Sequence, residues 1–377
     1  MKKVIFISAL AIAAAVSCTK SDIVDTKFNE QIGFQTYLGR TAVTKAGVVD
    51  NDNFTQFGVY GYYTVDQYQN NTDVANLMAN VSVSKSGTAW TYSPLKYWTN
   101  ATDMYTFLAY APYVDATNGV ATYGEGATAG SLTVPTSGAS TVITYKVAGD
   151  IANQKDLLYA DKVENITKNT ATTEVEGADG TKTSVTKVPF TFKHALSRLT
   201  VKAKAEMYDK ATGNVVSSHT DGQEYDFTFT ITNIKIAGKF NTQLGFDLYT
   251  GKWADSTPAN NAVTTYNLFT GSKALTQDLY DFSGKTTTVE GDKYLMVIPT
   301  NLGTETATLT VDYTVSYANA TSTNQAVVNV ATTDFVAGKA YAIELTFQRD
   351  ADNAIVFDVV NVVSWDEVDS QEVTEKA

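Results

Sequence analysis

The stretch Phe190-Thr191-Phe192-Lys193-His194-Ala195-Leu196-Ser197-Arg198-Leu199-Thr200-Val201-Lys202-Ala203-Lys204-Ala205 carries the reading of the fold. From Leu199 onward it alternates, with Leu199, Val201, Ala203 and Ala205 on one face and Thr200, Lys202 and Lys204 on the other. A period of two belongs to a strand that rests one face on a core. The pattern recurs outward in both directions. Tyr225-Asp226-Phe227-Thr228-Phe229-Thr230-Ile231 alternates in the same way, as does Ala307-Thr308-Leu309-Thr310-Val311-Asp312-Tyr313-Thr314-Val315-Ser316-Tyr317. Phe57-Gly58-Val59-Tyr60-Gly61-Tyr62-Tyr63 and Met104-Tyr105-Thr106-Phe107-Leu108-Ala109-Tyr110 read as aromatic strands. Tyr294-Leu295-Met296-Val297-Ile298-Pro299 is a continuous apolar run, hence a strand buried on both faces. Only residues 73–80 and 274–282 suggest helices, both short. Strands of this kind, separated by Gly, Asn, Asp and Ser turns, predict an all-β chain built of β-sandwiches.

Composition agrees. Tyr numbers 22 and charged residues make up only 18%, a mix that favours strands over helices. A hydrophobic content of 44% supplies packed cores, and 6 prolines are too few for a stiff proline-rich stalk. The net charge of -12 argues against nucleic acid and anionic headgroups as partners. Beyond its leader the chain has ~360 residues, which suits two domains. Segments 117–140 and 165–187 are rich in Gly, Thr and Ser and read as exposed loops. The second ends near Pro189, just before the opening stretch, so the boundary is placed there. It divides an N-terminal β-sandwich, residues 46–192, from a C-terminal one, residues 193–377.

The first residues have a different character. Lys2-Lys3, an apolar run from Val4 to Val16, and Ser17-Cys18 form a secretory signal over residues 1–17. The apolar run is about 13 residues, too short to cross a bilayer as a helix. Cys18 is the chain's single cysteine, and its place after Ala15-Val16-Ser17 matches the lipobox of bacterial lipoproteins. The expectation is a diacylglyceryl-modified, palmitate-bearing Cys18 that tethers the exported chain. Two or three acyl chains anchor a protein stably. No disulfide is available, so stability rests on cores.

The order of local patterns resembles that of the fimbrillin family, outer-membrane lipoproteins that are subunits of type V pili. The lipobox Ser17-Cys18 comes first, then Ile32-Gly33-Phe34 followed by the basic Arg40. Pro94-Leu95-Lys96-Tyr97-Trp98 precedes Tyr105-Thr106-Phe107-Leu108-Ala109-Tyr110-Ala111-Pro112, and Asp156-Leu157-Leu158-Tyr159-Ala160 follows. Phe190 to Leu199 is the most specific piece. Gly251-Lys252-Trp253, Leu295-Met296-Val297-Ile298-Pro299, Ala337-Gly338-Lys339-Ala340-Tyr341 and Trp365 complete the series. The resemblance implies two tandem transthyretin-like Greek-key β-sandwiches. It also implies a structural or adhesive fimbrial subunit assembled by protease-triggered donor-strand exchange. In that scheme a trypsin-like protease removes the leading strand, and a neighbouring subunit's C-terminal strand replaces it. The implied partners are other fimbrial subunits, that protease, the outer membrane through the lipid, and a ligand on a host or bacterial surface. No cofactor is implied.

The residues give this scheme named positions. Ile32, Phe34 and Leu38 share one parity and form the apolar face of the strand to be displaced, within an N-terminal segment of residues 18–45. Arg40, one of three arginines, follows in Gly39-Arg40-Thr41, with Lys45 as the alternative cut. The candidate donor strand carries Ile355, Phe357, Val359, Val363 and Trp365, and a bulge near Val359-Val360 reconciles its two apolar rows. The same segment also reads as a last core strand, and stalk, tip and anchor roles all stay open. His194 lacks a serine elbow or metal-spaced partner and reads as a structural histidine. Asp50-Asn51-Asp52-Asn53 fails as a calcium loop because Gly61 stands where a bidentate Glu belongs. No metal site or catalytic motif is found, so no enzyme is expected. The rival reading is a surface glycan-binding lipoprotein that does not polymerise, with Trp90, Trp98 or Trp253 as exposed platforms.

Overall fold

The computed structural model describes residues 30–38, 54–64, 66–70, 72–138, 140–176, 182–208, 211, 214–216, 228–255, 262–283, 294–303, 306–317, 320–330, 334–347 and the backbone of 355–364. In chain order the first strands are β1 (Gly33–Leu38), β2 (Gln56–Thr64), β3 (Met78–Ser86), β4 (Ala89–Thr91) and β5 (Met104–Ala111). There follow β6 (Val120–Tyr123), β7 (Gly130–Thr133), β8 (Val142–Lys146), β9 (Leu158–Ala160) and β10 (Val163–Ile166). β11 (Thr172–Glu176) and the long β12 (Lys182–His194) lead into β13 (Ser197–Ala205). The second half continues with β14 (Met207–Tyr208), β15 (Val215–Val216), β16 (Thr228–Gly238), β17 (Gln243–Asp247) and β18 (Lys252–Trp253). Then come β19 (Thr264–Ala274), β20 (Tyr280–Asp281), β21 (Leu295–Val297), β22 (Thr300–Asn301) and β23 (Thr308–Tyr317). β24 (Ala320–Asn329), β25 (Asp334–Phe335), β26 (Lys339–Phe347) and β27 (Ile355–Ser364) complete the order. The protein is all-β, as the alternation predicts.

The leading sheet runs β1-β12-β9-β5-β2-β3-β4. Its centre explains the aromatic runs. On β2, Phe57 and Val59 face one core while Tyr60 and Tyr62 face another, and on β5 Phe107 and Ala109 oppose Leu108 and Tyr110. Two-sided burial leaves no room for polar alternation. One core is bounded by β1, β2, β5 and β12; the other continues into the second half. Gly58 is required by close approach: a Cβ there would lie 2.4 Å from the Tyr110 ring.

The two halves are joined by a shared sheet, ordered β18-β17-β8-β7-β6. β17 and β18 come from the second half, while β8, β7 and β6 come from the first, with Gln243 to Asp247 antiparallel to Lys146 to Val142. Within the second half, β13 pairs parallel with β26 from Arg198↔Ala340 to Ala205↔Phe347. β16, β19, β23 and β24 form a separate four-stranded sheet.

Three local expectations differ from the structure. Residues 73–80 are not helical, because Asn76 bonds both main-chain groups of Tyr63 and so spends itself on β2. Residues 274–282 are not helical but link the end of β19 to β20, with Leu275 N–H donating to Phe229 and Phe282 N–H to Val201. Segments 117–140 and 165–187 hold the β6–β7 and β11–β12 hairpins, whose apolar residues are too few to show a period. In contrast, Leu295, Met296, Val297 and Ile298 are all buried, as the unbroken apolar run implies.

Candidate functional site

β1 sits at the edge of the leading sheet and is six residues long. Ile32, Phe34 and Leu38 are buried and Gln35 and Tyr37 exposed, which is the parity read from the sequence. Its ladder is parallel to β12, from Gly33↔Lys187 to Leu38↔Phe192. Before the strand begins, its other margin is held by residues 96–98: Ile32 N–H donates to Lys96 at 2.9 Å and Trp98 N–H to Glu30 at 3.1 Å. Two side chains clamp it further. Tyr92 Oη donates to the Ile32 carbonyl at 2.8 Å, and Trp90 Nε1 donates to Thr36 Oγ1 at 3.0 Å.

Beneath β1 lies a pocket of rings. Phe34 stacks on Phe190 with centroids 5.5 Å apart and meets Phe57 and Phe107 edge-on at 6.1 and 6.0 Å. Such pairs add roughly 0.5–1.5 kcal/mol each beyond the area they bury. Burial pushes the Tyr92 phenol up. At the strand's start, burial opposes ionisation of Glu30. Hydrogen bonds from Lys168 and Thr186 outweigh that, and hold its carboxyl below the usual range. Lys168 Nζ lies 2.9 Å from the Glu30 carboxylate, an ion pair with modest strength at a partly exposed site.

No pattern in the sequence marks Tyr92 and Trp90 as a clamp on β1. Trp90 stood out in the sequence as a binding platform, but its indole faces β1. Trp98 is fully buried against Tyr105, and Trp253 donates its Nε1 hydrogen to the Ala195 carbonyl at 2.8 Å. The three tryptophans are therefore packing residues and not an exposed aromatic row. His194 is likewise structural, buried with its Nδ1 2.7 Å from Asp156 Oδ2. Arg198 is buried over the Tyr294 ring at 4.4 Å, out of reach of a protease in the folded chain.

At the other end, β27 pairs antiparallel with β26. Ile343 pairs with Val360 and Glu344 with Asp358, so Val359 is the extra residue, where the sequence requires a bulge. Trp365 lies outside the described residues, as do Cys18, Arg40, Lys45 and the 50–53 turn. No cluster of metal-ligating side chains occurs among the described residues, and no described helix is long and apolar enough to cross a membrane.

The fold and site together define an all-β protein of sandwiched sheets whose leading strand closes an aromatic core at a sheet edge. The chain belongs to the fimbrillin-like family, whose model matches residues 41–365. Membership supports a fimbrial subunit at the cell surface with a structural, non-enzymatic part. Among solved structures, a fimbrial protein from Bacteroides vulgatus is similar at 18% identity and TM-score 0.61, over 89% of this chain and 100% of that one. A putative cell adhesion protein from Bacteroides uniformis matches at 17% identity and TM-score 0.47, over 89% and 99%. The fimbrial anchor protein Mfa2 from Porphyromonas gingivalis matches at 12% identity and TM-score 0.34, over 89% and 98%. No curated protein matches the chain.

Proposed function

We propose that this chain is a structural or adhesive fimbrial subunit assembled by strand replacement at the β1 seat. The observation that carries the reading is that a short strand at the chain's leading end covers a ring-lined core without being interior to any sheet. Its removal breaks one ladder and the bonds to Tyr92, Trp90 and residues 96–98, and exposes Phe57, Phe107, Phe190 and Tyr92. The remaining strands keep their own pairings. Three large buried side chains are worth roughly 1.5–3 kcal/mol each, so an emptied seat favours recapture of an extended segment.

The candidate donor matches the first part of the seat in pattern. Ile355-Val356-Phe357 repeats the spacing of Ile32-Gly33-Phe34, and Val359 then falls where Thr36 stands, while Asn361 falls where the buried Leu38 stands. In the proposed assembly a trypsin-like protease cuts after Arg40, or after Lys45, and β1 leaves. Ile355, Phe357 and Val359 of a neighbouring subunit then enter, with Val363 and Trp365 extending the contact. Before the cut, lipid on Cys18 holds the precursor at the outer membrane. In domain terms residues 46–192 receive the strand and residues 193–377 supply it.

The test is mild trypsin on the purified precursor, followed by a denaturing gel without boiling. The expected result is a stable product beginning at Thr41 or Ala46 that then forms a ladder. Deleting residues 354–377 should give the processed product without the ladder. A processed chain that still ladders after that deletion refutes the donor role.

A further inference from the structure

The sheet ordered β19-β16-β23-β24 has two edges of different build. β19 meets β16 through two register shifts, at Ile231/Asn233 and Ile234/Lys235, and carries Lys273. Bulges and lysines are the usual means of blunting a sheet edge. β24 has neither. It pairs with β23 without a shift from Thr308↔Asn329 to Tyr317↔Ala320, over its full 10 residues. No Asp, Glu, Lys, Arg or Pro lies between Asp312 and Asp334. Thr321, Thr323, Gln325, Val327 and Asn329 all face outward, and Val327 is 62% exposed. The far side of β24 has no strand partner among the described residues.

We propose that β24 is a self-association edge, on which two copies of the chain pair antiparallel about a two-fold axis. Charge selects the occupant. With a net charge of -12 the chain repels its own copies across most of its surface, but the strip between Asp312 and Asp334 sets no charge against itself. It also presents no carboxylate to hold a basic partner segment. A two-fold contact matches one patch to itself, and hydroxyl and β-branched side chains pair well across an antiparallel ladder. The acid opposite Gln325 on β23 is already engaged: Asp312 accepts from Gln325 Nε2 at 2.7 Å and from Asn233 Nδ2 at 3.0 Å. This contact needs neither cleavage nor residues 355–364, so it stands or falls apart from strand replacement at β1.

The experiment uses the full, uncleaved chain carrying Cys18→Ala, which leaves it without any other thiol. Thr323→Cys, Gln325→Cys and Val327→Cys each place one cysteine on the outward row. Opposed residues of an antiparallel pair lie about 4.5–5.5 Å apart at Cα, within disulfide reach. Mild oxidation should yield a covalent dimer from at least one of these, and none from Lys273→Cys on the opposite edge. Sedimentation velocity should show a concentration-dependent dimer. Thr323→Lys with Val327→Lys should weaken it roughly tenfold while circular dichroism stays unchanged. If the lysine variant misfolds, the cysteine series decides. A chain monomeric at every concentration, a dimer indifferent to the lysines, or cross-linking from Lys273→Cys alone overturns the proposal.

Discussion

The two halves of the molecule each pair an early strand in parallel with a late one, and they differ in what holds the early strand. In the first half β1 pairs with β12 at the sheet edge. In the second half β13 pairs with β26 on one side and with β20 and β21 on the other. β13 also follows β12 directly through Ala195-Leu196, where Ala195 N–H donates to Leu157 and Gly338 N–H donates to Leu196. The same parallel pairing is therefore terminal in one half and locked in the other. A strand with partners on both edges cannot leave without dissolving its sheet, whereas an edge strand carries away only its own ladder and its own buried side chains.

The sharpest way to break this comparison is to put one charge into each early strand. Val201→Asp buries a carboxylate in the interior of β13, where Val201 is 2% exposed. The expected loss exceeds about 4 kcal/mol and should prevent the second half from folding. Phe34→Asp should instead unseat β1 and leave the other strands folded. Circular dichroism and limited proteolysis of the two variants check both outcomes, and global unfolding by Phe34→Asp would erase the distinction.

Alkali should also distinguish the two cores. Burial pushes the phenols of Tyr62 and Tyr123 up to about 12, and raises Tyr60, Tyr68, Tyr110 and Tyr145 as well. Burial also raises Tyr266, Tyr313 and Tyr341, which the second half contributes to the same core. A raised folded pKa means stability that is intact below about pH 10, the unfolded value, and declines as pH climbs toward the folded value. Tm should thus fall steeply between about pH 10 and 12, with signals from the core that spans both halves lost before those from the core beneath β1. Phenolate absorbance followed with amide exchange tests the order.

Smaller effects sharpen the picture. Phe34→Ala should cost the first half about 3–5 kcal/mol in urea, or less if β1 simply leaves, since the loss cannot exceed the free energy of its docking. A trypsin time course read alongside the melt distinguishes the two. Gly58→Ala forces a methyl group against the Tyr110 ring, which also donates to Asn80 Oδ1 at 2.7 Å. It should cost about 1–3 kcal/mol without freeing β1. Tyr249→Phe removes a bond to Glu164 Oε1 that ties the β17–β18 turn to β10. About 1 kcal/mol is expected in urea denaturation, with first-half signals shifted along with the second because the halves share a sheet.

The amino-acid sequence by itself determined which residues face inward. Leu199, Val201 and Ala203 are buried beside the more open Lys202 and Lys204, and Ile32, Phe34 and Leu38 share the buried parity of β1. The slip between the apolar rows of β27 required a bulge, and the register shift falls at Val359. Such features are local, because a strand's period of two is set by its own backbone. Which strands lie side by side is another matter. Ladder bonds join N–H and C=O groups that nearly every residue carries, so nothing in residues 33–38 names residues 187–192 as their partner. Likewise nothing in Gln243–Asp247 announces that it completes a sheet begun by β8. The clamp from Tyr92 and Trp90, the burial of Trp98 and Arg198, and the difference between a terminal β1 and a locked β13 were decided only when distant strands packed. The free energy of those contacts comes from area and shape matched across the fold, and no single segment contains that information.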